Sequence, residues 1–295
     1  ILQYYDSQIL PAHAITPLKM SAQMRAFRLA YDGRPFSGFQ RQPSVPTVED
    51  ALFDALDSLD VFNRDTDSKP SGYAAAGRTD AGVSALRQTV GFECPSWCTP
   101  RALNSELPTS VRAWASADVQ SGFHATHDAL QRTYTYYLYG PELDMNRLNT
   151  AAEILSGKHD FHNFTSDDDG TTRKLSITLE FDDPFISARI TADGFPRSLI
   201  RRLMSALRGV GSESMTIETL TGLLNTVPQT GPDGIPTASP EPLILTRVTY
   251  PDATFRIDNR AINSLKSVFT HRYQRCLTQA RVAEHIVSKS GSDQN

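Results

Sequence analysis

The sequence predicts an α+β protein made of two halves, each with the element order β-α-β-β-α-β. Three observations carry this. Apolar patterns of period two alternate with patterns of helical period in the same order twice. Most helices open on a capping residue or proline. The first strand of each pair is separated from the next by a helix rather than a hairpin, the split β-α-β or ferredoxin-like arrangement. The halves share element order only, with no evident sequence repeat.

The first half opens with a strand over 27–31, stopped by Asp32-Gly33. Thr47 is placed to cap a helix, with Asp50 three residues on and Val48, Leu52, Leu56 and Leu59 at helical spacing. A strand over 73–76 follows, then a glycine-rich loop and a strand over 88–93. Thr99-Pro100 starts a short helix, because proline suits the first helical position. A strand over 111–116 closes the half. The second half runs through a tyrosine-rich strand over 132–139 and a helix over 147–156 ending at Gly157. A strand pair over 175–181 and 185–192 turns at Asp182-Asp183-Pro184. Helices follow after Pro196 to about 208 and over 216–225, then a strand over 243–250. Residues 226–242 read as a loop, and a helix starts near Asp258 and frays into the polar stretch from Ser288. The expected organisation is an N-terminal extension over 1–23, subdomains over 24–119 and 120–251, and a basic helical tail over 252–295. A cleft is expected between the halves.

With 295 residues, 39% hydrophobic and 21% charged, the composition is that of a globular chain. No apolar run approaches the roughly 20 residues that span a bilayer, so no membrane partner is expected. The N-terminus lacks the pattern of a secretory signal. Three cysteines, Cys94, Cys98 and Cys276, fit reduced thiols in a cytoplasmic protein. The His-x-x-His pairs at 124/127 and 159/162 lack accompanying cysteine pairs and read as local packing histidines, so no metal is expected. No phosphate-binding GxxxxGK[ST] or dinucleotide GxGxxG is present, and no cofactor is expected.

The net charge of −4 disfavours a nucleic-acid partner, but its distribution does not. Residues 49–67 carry seven acids and one base, whereas 194–212 carry Arg197, Arg201, Arg202 and Arg208 and no acid. Residues 256–281 hold six bases against Asp258 alone. Segregation of this kind can build a positive field on an acidic chain, or it can mark solvated helix faces.

Three stretches carry chemistry. The run Ala76-Gly77-Arg78-Thr79-Asp80-Ala81-Gly82-Val83 sets one carboxylate in a glycine-bracketed loop after a strand. It is either a tight turn with an ion pair or a presented catalytic group. In the helix after Pro196, Arg197, Arg201 and Arg208 fall on one face opposite Leu199, Leu203, Ala206 and Val210. In Tyr134-Thr135-Tyr136-Tyr137-Leu138-Tyr139, Tyr134 and Tyr136 share one face of a strand and Tyr137 and Tyr139 the other. A tyrosine facing a cleft can stack on a base, and one facing the core packs.

At these residues the chain resembles the TruA family of tRNA pseudouridine synthases. Gly77-Arg78-Thr79-Asp80-Ala81-Gly82-Val83 is similar to the family's signature loop. Tyr31-Asp32-Gly33 with Gly38-Phe39-Gln40-Arg41-Gln42 resembles its opening motif, and Phe123-His124-Ala125 with Arg132-Thr133-Tyr134 its middle motif. Gly194-Phe195 through Leu199-Ile200-Arg201-Arg202 resembles the third, and Leu243-Ile244-Leu245 the closing strand. The match covers about 25–251 in order. It implies two ferredoxin-like halves forming a continuous antiparallel sheet around a basic cleft. It also implies a homodimer that converts uridine to pseudouridine at positions 38–40 of the tRNA anticodon arm. Asp80 takes the catalytic position, Arg201 that of the active-site arginine, Tyr134 that of the base-stacking tyrosine. Arg78 takes that of the arginine that displaces and holds the flipped nucleotide. Arg41, Arg197, Arg202 and Arg208 are weaker candidates for RNA contact. The family has histidine where this chain has Ser84 and arginine where it has Thr126.

The chemistry suits the residue types. Flipping a base out of its stack costs a few kcal/mol, offset by new stacking and polar contacts. An ionised carboxylate can then attack C1′ or C6, or take a proton from C2′. A nearby arginine keeps it charged and oriented. The competing readings are a non-catalytic RNA-binding protein of the RRM kind, whose sheet stacks bases on aromatics, and a hydrolase working through carboxylates. The hydrolase reading lacks a second acid in a comparable loop.

Overall fold

In the computed structural model, residues 22–225 and 235–290 are described. Residues 1–21 of the extension expected over 1–23, residues 226–234 of the loop expected over 226–242 and the last residues of the tail lie outside them.

The first half comprises β1 (Gln23–Tyr31), α1 (Val48–Ser58), β2 (Ala74–Ala75), β3 (Ser84–Cys94), α2 (Pro100–Glu106) and β4 (Val111–Asp118). The second comprises β5 (Gln131–Tyr139), α3 (Met145–Leu155), β6 (Gly157–Asp160), β7 (Thr172–Asp182), β8 (Phe185–Ala192), α4 (Leu199–Gly211), α5 (Ile217–Asn225) and β9 (Leu243–Thr249). The two-residue β10 (Arg256–Ile257) and the 31-residue α6 (Asn259–Lys289) follow.

One mixed sheet runs through the molecule in the order β10-β4-β1-β3-β9-β5-β8-β7-β6, with β2 beside β3. Every pairing is antiparallel except β3 with β9, where Ser84 and Ala85 lie beside Ile244 and Leu245 in parallel. This corrects the expectation of an antiparallel sheet throughout. The sense of β3 is fixed by β1 and that of β9 by β5, so the two strands meet at the seam in the sense each inherits from its own half.

The helices pack as their spacing requires. Thr47 Oγ1 accepts the Asp50 N–H at 3.1 Å and Thr99 Oγ1 that of Ala102 at 3.2 Å, which satisfies orphan donors at both helix starts. α1 buries Val48, Leu52, Phe53, Ala55 and Leu56; α4 buries Leu199, Leu203, Ala206 and Val210 among others. These belong to one apolar core that continues across both halves. On the other side of the first half, α6 packs Leu265, Ile262 and Phe269 over Ala30, Trp114 and Ala115. With both faces covered, β1 is buried from Met24 to Tyr31, whereas β8, open on one face, alternates.

Three elements differ from expectation. α3 starts at Met145 because Asp144 Oδ1 accepts the N–H groups of Asn146 and Arg147. β6 is polar and pairs only with β7, so it carries no apolar alternation to read. α4 starts at Leu199, because Ser198 takes a left-handed conformation with φ of 58°. Arg197 therefore precedes the helix and does not share its face.

Candidate active site

The Asp80 loop is held from below by the first half. Ala76 donates its N–H to Thr89 O at 2.8 Å, and Gln88 Nε2 donates to Gly77 O at 2.8 Å. Thr79 is fixed twice: its hydroxyl bonds the Tyr31 hydroxyl at 2.8 Å, and its carbonyl accepts the Phe39 N–H at 3.0 Å. Val83 N–H then closes the turn on Asp80 O at 3.1 Å. Gly82 has φ of 81°, and a Cβ there would stand 2.9 Å from Pro240. A Cβ on Gly33 would lie 2.1 Å from Val83 O, so the Asp32-Gly33 turn presses backbone against backbone under the loop. Gly77 has neither constraint: its φ is not in the left-handed region and a Cβ would meet nothing within 4 Å. Its side-chain-free surface faces the cavity, not another chain segment.

The second half supplies the partners. Arg201 Nη1 donates to Asp80 Oδ2 at 3.1 Å, and Ser198 Oγ reaches the same oxygen at 3.3 Å. The rest of the guanidinium is tied to the segment leading into β9, with Nε to Ala238 O at 2.8 Å and Nη2 to Thr237 Oγ1 at 3.3 Å. The fork is thus spread over three partners, and its plane is fixed before any ligand arrives. Tyr134 lies on the buried face of β5, edge-on to Phe195 with ring centroids 5.3 Å apart. Burial first, and the Asp80 charge second, push its phenol above the usual tyrosine range.

These groups line a cavity of about 400 Å³ at the seam, whose walls include Asp80, Arg201, Tyr134, Phe195, Arg78 and Leu243. That volume falls within the range of small-ligand sites. A second groove of about 750 Å³ adjoins it, sharing Gly77, Arg78, Asp80, Thr126, Phe195 and Arg197 and running on past Arg41, Lys69 and His124.

Asp80, Arg201 and Tyr134, which are separated by up to 121 residues, are therefore brought together. Arg78 and Arg197 stand at the mouth and line both spaces. Arg78 is exposed, and Arg197 is loosely tethered to Asp167 at 3.9 Å. The other three arginines depart from expectation. Arg41 lines the groove, but donates to Asp50 at 3.0 Å and Ser68 O at 3.0 Å and lies over the Phe53 ring. The acid-rich α1 has claimed its charge. Arg202 donates to Ile235 O at 3.1 Å, and Arg208 pairs with Glu142 at 3.7 Å; neither lines the cavity or the groove. Arg208 is two turns along α4 from Arg201, so sharing its face carries it away from the cavity. Ser84, at the histidine position of the resemblance, accepts the Gly33 N–H at 3.1 Å, and Thr126, at the arginine position, donates to Ala75 O at 2.5 Å.

Two contributors were not singled out from sequence. Ser198 gives Asp80 its second donor. Arg132 is buried on β5 and donates five hydrogen bonds, to the carbonyls of Ala76 (twice), Thr126, Ala129 and Asp193. It ties together the three segments that wall the cavity. Burial lowers its pKa from the usual arginine value.

Among the described residues no group of three or more His, Cys, Asp or Glu side chains is placed to hold a metal ion, and no helix is long and apolar enough to cross a membrane.

A carboxylate gripped by an arginine in a cleft, beside a buried tyrosine and near exposed cations, is the arrangement of an enzyme site. The comparisons agree. The family model for tRNA pseudouridine synthase matches residues 151–251. A tRNA pseudouridine synthase A of Natronomonas pharaonis is 55% identical over 88% of this chain and 97% of its own length. Those of Haloarcula marismortui and Halobacterium salinarum are 50% and 46% identical, over 89% and 90% of this chain and 98% of theirs. The chain belongs to the tRNA pseudouridine synthase family, whose members are isomerases.

Proposed function

We propose that this protein isomerises uridine to pseudouridine at positions 38–40 of the tRNA anticodon arm, with Asp80 as the catalytic carboxylate. The observation that carries this is the convergence of Asp80, Arg201 and Tyr134 on one cavity at the seam. The reaction breaks N1–C1′, turns the uracil and joins C5 to C1′; the C5 proton leaves and N1 gains one. Among the described residues lining the cavity, Asp80 is the carboxylate paired with an arginine, and each available route starts from it: attack on C1′, attack on C6, or removal of a C2′ proton. Arg201 and Ser198 both bond Oδ2, so they orient the carboxylate while Oδ1 is the oxygen offered to the substrate.

Tyr134 and Phe195 would receive the flipped base. A phenol held above its ordinary pKa is protonated at neutral pH, so Tyr134 serves as a packing surface and hydrogen-bond donor. Removal of the C5 proton then falls to Asp80. Arg78 and Arg197, exposed at the mouth, would take phosphates or the vacated space.

The rest of the reading follows. The orders β4-β1-β3-β2 and β9-β5-β8-β7 both fit a ferredoxin-like half, which supports subdomains over 24–119 and 120–251, an extension over 1–23 and a tail over 252–295. A homodimer acting in the cytoplasm completes the proposal. The RRM-like binding alternative needs no arginine-held carboxylate and is disfavoured for that reason.

Mapping pseudouridine in tRNA incubated with the protein tests the reading. We expect new pseudouridine at one or more of positions 38–40; tight binding with none formed would favour the binding protein. Arg201→Lys keeps a charge but loses the three-way fork, and kcat is expected to fall about 10- to 100-fold with little change in tRNA affinity. Single-turnover rates at saturating enzyme measure this.

A further inference from the structure

The chain carries a second cationic surface that the active site does not use. α6 holds six of the chain's Lys and Arg residues against one carboxylate, Glu284, in a protein of net charge −4. Its first half packs on the sheet through Ala261, Leu265 and Phe269. Beyond Arg272 every residue to 290 is exposed. At 1.5 Å per residue this exposed segment is on the order of 25 Å long.

The side chains on α6 are sorted. At about 100° per residue, Arg260, His271, Arg275, Arg281, His285 and Lys289 fall in one arc of about 120°, away from the packed face. The other residues in that arc are Asn, Ser, Gln and Thr with the single exception of Val282, and none is acidic. This is a continuous row of donors and positive charge, suited to a phosphate backbone. A second copy of the chain fits less well. The exposed Tyr273, Leu277, Ala280 and Val287 recur along another side of the helix, but Glu284 interrupts that stripe and it lies apart from the basic row.

Placement ties the row to the active site. Arg272, where the helix leaves the body, forms an ion pair with the buried Asp32, and the adjoining Gly33 backs onto Val83 at the end of the Asp80 turn. The helix therefore leaves the body beside the segment that backs the Asp80 turn, while its own residues line neither the cavity nor the groove.

We propose that the outer face of α6 docks the phosphate backbone of the substrate tRNA, outside the nucleotide being modified. The proposal rests on the functional reading above. Arg275 and Arg281 lie on the projecting half; Arg281 is engaged only by the exposed Glu284 at 2.6 Å, a pair easily exchanged for phosphate.

The test is the double substitution Arg275→Ala/Arg281→Ala, with intact tRNA titrated by filter binding over a series of salt concentrations. Unchanged helicity by circular dichroism confirms the fold. We expect Kd to rise roughly tenfold and the slope of log K against log salt to lose about 1.5 to 2 in magnitude. A chain ending at residue 272 should show at least the same loss. Unchanged Kd and slope in both overturn the proposal. So does a truncation that dissolves a dimer while tRNA affinity holds, since α6 is then a subunit contact. If the wild type modifies tRNA and both variants bind like it, the docking surface falls and the functional reading stands. If binding depends on α6 but the wild type forms no pseudouridine, the docking surface stands and the functional reading falls.

Discussion

Asp80→Asn is expected to abolish pseudouridine formation while leaving tRNA binding and fold intact. The asparagine is nearly the same size, and its Oδ1 can still accept from Arg201 Nη1 and Ser198 Oγ. What it loses is the charge, and with it both nucleophilicity and the capacity to take a proton. Removing the group that forms or breaks the reacting bond typically costs about 10⁴-fold or more in kcat, roughly 5 kcal/mol of barrier. The stability cost is small by comparison. The Asp80–Arg201 pair has side chains 32% and 18% exposed, and a partly solvated pair contributes about 1 kcal/mol or less. The separation of effects is the point of the experiment. Loss of turnover with unchanged Kd and unchanged melting temperature identifies Asp80 as the reacting group, whereas an active Asp80→Asn protein would sink the mechanism. Arg201→Lys should fall between the two, because it changes the aim of the carboxylate and not its charge.

How much of this site could be read in advance depends on how local each signal is. The Asp80 loop was legible because its constraints are written nearby: a strand before it, Gly82 at positive φ within it, and an opening motif whose Gly33 has to admit the Val83 backbone. The leucine face of α4 was legible from period alone. Its start was not, because a left-handed Ser198 leaves no residue-type signature, and this put Arg197 inside a helix that begins two residues later. The arginines divide on the same principle. Periodicity gives a direction around the helix but not a distance along it, so Arg201 and Arg208 looked equivalent although only Arg201 reaches the cavity. Arg41 shows the remaining limit. Whether a cation is available depends on which acids the fold brings to it, and Asp50 became its partner only once α1 had docked. The parallel seam between β3 and β9 depends on how two halves meet, which no local pattern encodes.

Arg132→Met is expected to be the most disruptive single change outside the reacting groups. Strand alternation sets residue 132 on the same face as Tyr134 and Tyr136, and the structure shows that face to be the buried one. Burial of a charge persists only when its donors are fully used. Here the guanidinium meets the carbonyls of Ala76, Thr126, Ala129 and Asp193 and no carboxylate. Methionine fills comparable space but offers no donor, leaving these carbonyls short of partners in a place that water reaches poorly. At about 1–3 kcal/mol for an unsatisfied buried group, and with partial relaxation, the loss should total about 3–5 kcal/mol. For a chain of this size that lowers the melting temperature by roughly 10 °C. The functional consequence is separable from the stability loss. Ala76 directly precedes Gly77-Arg78-Thr79-Asp80, Thr126 lines both spaces, and Asp193 precedes the Gly194-Phe195 wall, so one side chain sets the spacing of three walls. Loosening them should lower kcat well below the wild-type value at a temperature where the variant is still folded, because a shift of about 1 Å in a positioned group can cost about 10²-fold. Arg132→Lys, which restores a donor but not the fork, should recover part of the stability and little of the rate. If Arg132→Met turned over at the wild-type rate while melting early, Arg132 would be a core residue and nothing more. A rate lost together with the fork, and only partly regained with lysine, assigns it to the positioning of the Asp80 loop.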